Sequence, residues 1–211
     1  MAALGTEPAK VFLNGVCGYF KAFLESRGGA MSCQTLEELR HDSAVGGWNP
    51  CGLLFLLQDA GAAAGISHCT GVFTALPLDM LRETEKRVAA YLDADMPPRR
   101  ASEIVAAVPD LPINKASGKP AMAMDVLLAN SSLVAGTTDG RYFIPERSLR
   151  YLVTEAMRSL ALPAHHTAIL RRVKEAVTSL RRVRDYQVLQ VLRERTEFTS
   201  PADGYYELKE T

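Results

Sequence analysis

The sequence has no Cys-x-x-Cys pair, no Gly-x-Ser-x-Gly, no His-Glu-x-x-His, and no phosphate-loop lysine after either double glycine, Gly28-Gly29 or Gly46-Gly47. Those absences remove the usual signatures of zinc, nucleophilic-serine, metalloprotease and nucleotide chemistry, so a non-enzymatic protein without a cofactor or small-molecule substrate is expected. The four cysteines, Cys17, Cys33, Cys51 and Cys69, stand 16 to 18 residues apart. They read as reduced, partly buried thiols behaving as small hydrophobes. A metal site would require His41 or His68 to converge on them, and the spacing offers no Cys–His pairing. No apolar run approaches the ~18 residues of a membrane span. The densest, Cys51 to Leu57, is broken by Gln58-Asp59. The opening Met-Ala-Ala-Leu-Gly-Thr-Glu-Pro has neither the basic-then-apolar pattern of a secretory signal nor an Arg-rich transit pattern. The expectation is an intracellular, reducing compartment, cytoplasm or nucleus, with an organelle left open.

Net charge is also missing: 24 Lys and Arg balance 24 Asp and Glu over 211 residues. The balance is uneven along the chain. Residues 1–78 carry 4 basic and 6 acidic groups, 79–147 carry 9 and 10, and 148–211 carry 11 and 8. The last third therefore holds a local basic surface on a neutral protein.

What the chain does have is a pattern that occurs three times. A leucine-rich helical segment leads to a polar turn, a glycine, one residue and an aromatic. The copies end at Gly71-Val72-Phe73, Gly140-Arg141-Tyr142 and Gly204-Tyr205-Tyr206, with glycines 69 and 64 residues apart. That period suits a small helical domain closed by a hairpin, and Asp139-Gly140 and Asp203-Gly204 are strong hairpin turn signals. Three units follow, with boundaries 1–78, 79–147 and 148–211.

In the first unit, Phe12, Val16, Tyr19, Phe20, Phe23 and Leu24 recur at helical spacing from Val11 to Ser26, and Gly28-Gly29 stops that helix. Ala30-Met31-Ser32 reads as a short strand, Thr35 to Arg40 as a helix, and Asn49-Pro50 as the cap of a third helix to Gln58. A hairpin follows within Ala60 to Leu76. The second unit has helices at Leu81–Leu92, from Ala101, and from Pro120. A polar loop holds Pro109, Pro112 and Gly118, and the hairpin lies in Ser132 to Pro145. The third has helices at Leu149–Leu160, Ala164–Val177 and Arg184–Arg195, then a hairpin from Glu197 to Lys209.

The order helix, short extended piece, helix, helix, hairpin resembles the winged-helix fold. Phe23 to Ser32 followed by Thr35-Leu36-Glu37-Glu38-Leu39 is similar to the LOTUS type of winged helix, which implies binding of RNA or partner proteins. Tandem winged helices also resemble subunits of membrane-sorting complexes and of RNA polymerase III, which implies a scaffold. The expected fold class is α+β, helix-dominated, with three tandem winged-helix units.

The third unit carries Arg171, Arg172, Lys174, Arg181, Arg182 and Arg184 on or beside its second and third helices, against only Glu175 and Asp185. Guanidinium groups pair bidentately with phosphate, so these six are the candidate nucleic-acid contacts, RNA or DNA. The alternatives are a solvated face or a dock for an acidic partner. Third helices in the other units, Cys51–Leu57 and Ala121–Leu128, offer almost nothing polar to a base edge. Trp48, Leu54, Leu57, Met122 and Met124 are therefore candidate protein contacts. Wing aromatics Tyr142, Phe143, Tyr205 and Tyr206 are read as packing residues. The expected function is a subunit or accessory factor of a nucleic-acid-processing assembly, RNA more than DNA, that also docks other subunits of a multiprotein complex. The alternative is an interaction scaffold without nucleic-acid binding.

Overall fold

Three times along the chain a helix leads to a short strand, to further helical segments and to a hairpin, and each time the strands assemble in the same order. The structure is a computed structural model and describes residues 7–35, 50–69, 71–93, 96–178 and 183–209. The first repeat comprises α1 (Glu7–Ser26), β1 (Ala30–Ser32), α2 (Pro50–Ala60), β2 (Ser67–Cys69) and β3 (Val72–Thr74). The second comprises α3 (Leu78–Leu92), β4 (Arg99–Arg100), α4 (Ala101–Ala107), α5 (Pro112–Ala116), α6 (Pro120–Ala129), β5 (Ala135–Gly136) and β6 (Arg141–Phe143). The third comprises α7 (Pro145–Arg158), β7 (Ala164–His165), α8 (His166–Ala176), α9 (Asp185–Glu194), β8 (Phe198–Ala202) and β9 (Tyr205–Leu208). The chain is thus a helix-dominated α+β protein with three helix-plus-wing repeats. The predicted helix at Thr35 to Arg40 lies, beyond Thr35, outside the described residues.

The sheets run β1-β3-β2, β4-β6-β5 and β7-β9-β8, all antiparallel. In each, the last strand is the central one. The glycine that precedes it has positive φ, +81° at Gly71, +76° at Gly140 and +74° at Gly204, which a side chain resists and a tight hairpin turn requires. Two residues on, the aromatic enters the middle of the sheet. Phe73 lies opposite Met31 and His68, Tyr142 opposite Arg99 and Gly136, and Tyr206 opposite Ala164. All three are buried. The recurring Gly-x-aromatic is the signature of a turn feeding a central strand.

Helix starts follow proline. Pro50 opens α2, and α5, α6 and α7 each hold a proline in their first positions, where its missing N–H costs no bond. α7 therefore starts four residues before the predicted Leu149, and its Leu149, Leu152, Val153, Ala156 and Met157 form one buried stripe. Two expectations are corrected. The polar loop around Pro112 contains the short helix α5, whose Asn114 amide donates to the carbonyls of Val105, Val108 and Pro109 at 3.1–3.2 Å. Ala164-His165 is a strand, not the first turn of a helix, because it pairs with Tyr206 and Tyr205.

The chain divides into two compact units, Met1–Glu85 with Val105–Asn130, and Lys86–Ile104 with Ser131–Thr211. The core of the first gathers Val16, Phe20, Leu24, Met31, Leu53, Leu57, Ile66 and Phe73. Its α1 ends at Gly28-Gly29, both with φ near +90°. The turn between α5 and α6 closes on that point. Ser117 Oγ donates to the Gly28 carbonyl at 2.6 Å and Lys119 Nζ to the Ser26 carbonyl at 2.7 Å. A Cβ on Gly28 would stand 2.7 Å from the Lys119 carbonyl oxygen, so the backbone approach itself requires glycine.

The second unit joins the second and third wings to one core, in which Ala135 and Phe143 pack with Leu149, Leu152, Val153, Ile169, Val173, Val188 and Leu192. Its wing at β5 is bonded to the end of α8. Thr178 donates from both N–H and hydroxyl to the Gly136 carbonyl at 3.0 Å, and Thr138 N–H donates to the Ala176 carbonyl at 2.9 Å.

Phe73 is fully buried and stands edge-on to Phe20, ring centroids 5.8 Å apart. Phe73→Ala is expected to lower unfolding free energy by about 3–5 kcal/mol, read as a fall in the urea midpoint at unchanged slope.

Candidate functional site

α8 is amphipathic, with Ile169 and Val173 inward, and the same period turns its cations outward. Arg171 and Arg172 have side chains 78% and 53% exposed, and Glu175 stands beside both. Arg172 Nη1 lies 3.1 Å from Glu175 Oε2, and its Nε donates to Ser159 Oγ at 3.1 Å. Arg171 Nε is farther from Glu175, at 4.0 Å. Lys174 Nζ lies 2.6 Å from Asp185 Oδ1, so it ties the end of α8 to the start of α9. Arg184 is exposed, and its N–H donates to Gln187 Oε1 at 2.8 Å as α9 begins. The structure thus brings Arg171, Arg172 and Lys174 onto one helix, with Arg184 at the head of the next. Arg181 and Arg182 lie outside the described residues.

Each of the three cations on α8 has an acid within reach. These pairs are solvent-exposed, and exposed pairs hold their partners weakly. Among the described residues, the carboxylate beside Arg171 is that of Glu175, at 4.0 Å.

α9 is the third helix of its repeat. Val188 and Leu192 face the core. Tyr186, at 59% exposure, and Gln190 and Arg193 face solvent, together with Asp185 and Glu194. Gln190 Nε2 donates to both oxygens of Glu194 at 3.0 and 3.1 Å. Beside this face a groove of about 320 Å³ runs between Glu146 and Leu149 of α7 and Tyr186, Gln190 and Glu194 of α9. Tyr186, Gln190 and Arg193 were not singled out in the sequence; the signal for them is their offset from Val188 and Leu192 in the helical period.

The other two third helices differ. On α2, Leu57 is 2% exposed and belongs to the core, Leu54 is partly buried, and Phe55 is 71% exposed. On α6, Met124 is fully buried and Met122 is exposed. Leu57 and Met124, proposed from sequence as protein contacts, are interior residues of their own unit. Among the described residues, the large apolar side chains these two helices expose are Phe55 and Met122. Sequence missed Phe55 because α2 is apolar all round, which leaves its phase unmarked. Trp48 and His41 lie outside the described residues.

The wings carry further polar groups. Arg141 is tied down on both sides, with Nε 2.7 Å from Asp139 Oδ2 and Nη1 and Nη2 donating to Glu155 at 3.1 and 3.0 Å. Burial works to raise the Asp139 pKa, but the Thr137 hydroxyl and the Arg141 guanidinium outweigh it and hold the carboxyl below its ordinary value. Arg141 is pushed further up from its own, chiefly by the Glu155 hydrogen bonds. Tyr205 is exposed and meets the His165 ring edge-on at 5.1 Å; Tyr206, its neighbour, is buried.

One pairing that the sequence spacing did not reveal appears in the first sheet. β1 and β2 flank β3, and Cys33, just past β1, places its Sγ 3.4 Å from His68 Nε2 on β2. Among the described residues, no group of three or more His, Cys, Asp or Glu stands together as a metal site, and no helix is long and apolar enough to cross a membrane. No protein family, curated protein or solved structure matches the chain. The fold by itself defines a chain of winged-helix-like repeats.

Two outcomes follow from these placements. Leu57→Ala is expected to cost about 2–5 kcal/mol of stability while Phe55→Ala stays within about 0.5 kcal/mol, as chemical denaturation of the two variants will read. Asp139 has a lower pKa folded than unfolded, so the unfolded chain binds the extra proton as pH falls through that window. Its contribution is present above the ordinary carboxylate range and fades below it. The stability difference between the wild type and Asp139→Asn is expected to shrink on acidification, as thermal melts taken at a series of pH values will report.

Proposed function

We propose that this protein is a non-enzymatic winged-helix subunit or accessory factor of a nucleic-acid-processing assembly, RNA more than DNA. The first two repeats dock other subunits, and the third contacts the phosphate backbone. The observation that carries this reading is the contrast between third helices. α2 and α6 turn Phe55 and Met122 to solvent, whereas α9 turns out Tyr186, Gln190 and Arg193 beside the exposed Arg171 and Arg172 of α8. Large apolar side chains exposed on a third helix, even beside Gln58 on α2 and Asp125 on α6, favour a protein surface. A polar third helix flanked by guanidiniums favours a charged backbone, with tyrosine available for stacking on a base.

A second reading, a protein–protein scaffold without nucleic-acid binding, is favoured by one observation. Glu175 and Asp185 stand against Arg171, Arg172 and Lys174, and Glu194 sits on the outward face of α9. Those acids lower the local potential that phosphate binding needs.

Titration of labelled single-stranded RNA and duplex DNA at two salt concentrations separates the readings. The expected outcome is binding that weakens steeply with salt, prefers RNA, and falls with a flatter salt slope in the Arg171→Ala, Arg172→Ala, Arg181→Ala triple variant. No binding by the folded wild type at low salt makes the scaffold the correct reading.

A further inference from the structure

We propose that Cys33 and His68 form a reactive thiol–imidazole pair, and that Cys33 is a site of reversible modification by low-molecular-weight disulfides. This function is separate from the basic surface of the third repeat and does not depend on it.

Geometry carries the argument. Cys33 follows β1 at the point where its N–H donates to the Gly71 carbonyl at 2.8 Å, so the backbone is held by the hairpin turn. His68 sits on β2, opposite Phe73 in the register, and the Phe73 ring packs against the imidazole at 4.9 Å between centroids. The two residues are 35 positions apart in sequence, and the central strand brings Sγ to 3.4 Å from Nε2. That is hydrogen-bond distance for a thiol. Cys33 is partly buried and His68 exposed, so the sulfur is held and still reachable. Cys17, by contrast, is buried, and burial pushes its thiol pKa up. Among the described residues, Cys33 is the polar contact of His68 and Phe73 its ring contact.

The chemistry is thiol–disulfide exchange. The Cys33 proton moves to His68 Nε2, and the thiolate attacks one sulfur of a small disulfide. A new S–S bond forms to Cys33 as the old one breaks, and the departing thiolate takes the proton back from the imidazolium. Cys33 is oxidised and the released half of the disulfide is reduced, so the electrons balance. A second small thiol reverses the step.

The test is the rate at which the full chain takes up glutathione from glutathione disulfide at about pH 7, with the modified residue located by peptide mapping. The expected result is a Cys33 adduct that forms faster than on the same residue in urea-unfolded protein. His68→Ala and His68→Gln are expected to slow it roughly tenfold and to change its dependence on pH, because the base that takes the thiol proton is gone. Circular dichroism checks that each variant is folded, and the glutamine variant keeps the side-chain bulk if the alanine variant does not fold. The proposal is overturned if Cys33 reacts no faster folded than unfolded, if another cysteine takes the adduct first, or if a folded His68 variant keeps the wild-type rate and profile.

Discussion

Each repeat is held together by one long-range pairing, that of the strand after the first helix with the last strand of the hairpin. In the first repeat it joins Ala30 to Thr74, in the third Ala164 to Tyr206. A two-stranded hairpin is marginal in water, and a strand of two or three residues has no stability of its own. Putting the last strand in the centre satisfies both its edges and places an aromatic over the helices. Closing a loop of some forty residues costs entropy that rises only slowly with length, so helical segments of varied length fit between the same two strands. The second repeat uses that freedom, with α4 and α5 ahead of α6.

Local closure leaves one interhelical turn and the second wing with groups that a neighbour satisfies. The turn between α5 and α6 bonds to the end of α1 through Ser117 and Lys119. The Gly136 carbonyl on β5 accepts from Thr178 after α8. A Cβ at Gly136 would meet Thr178 Oγ1 at 3.0 Å, as one at Gly28 would meet Lys119. Small domains have thin cores. In the second unit the second and third repeats share one core, and in both units the glycines at the contacts allow close approach.

Exposed charge is arranged less simply than the composition of the last third implies. The arginines of α8 face solvent, but Glu175 lies one turn along the same helix and Asp185 opposite Lys174. In the second wing, Arg141 is consumed by Asp139 and Glu155. What distinguishes α8 is exposure and weak, solvent-screened pairing, whereas Arg141 is half-buried between its two carboxylates.

Periodicity and turn chemistry were enough to read most of the fold. The stripes of α1, α7 and α9, the prolines that open α2 and α6, and the Gly-x-aromatic at each wing are local features, and local features are legible. The strand at Ala164-His165 and the helix at Pro112 were not, because a two-residue strand exists only through its partner and a five-residue helix through its neighbours. For the candidate site, the sequence by itself determined which residue types were present and that Arg171, Arg172 and Lys174 share a helix. Tertiary structure decided which side of α2 faced inward, burying Leu57 and exposing Phe55, and which acids met the arginines. It alone brought Cys33 to His68. The physical reason is the same in each case: a side chain's neighbours are set by strands and helices distant in sequence, and one chain read linearly carries no record of that distance.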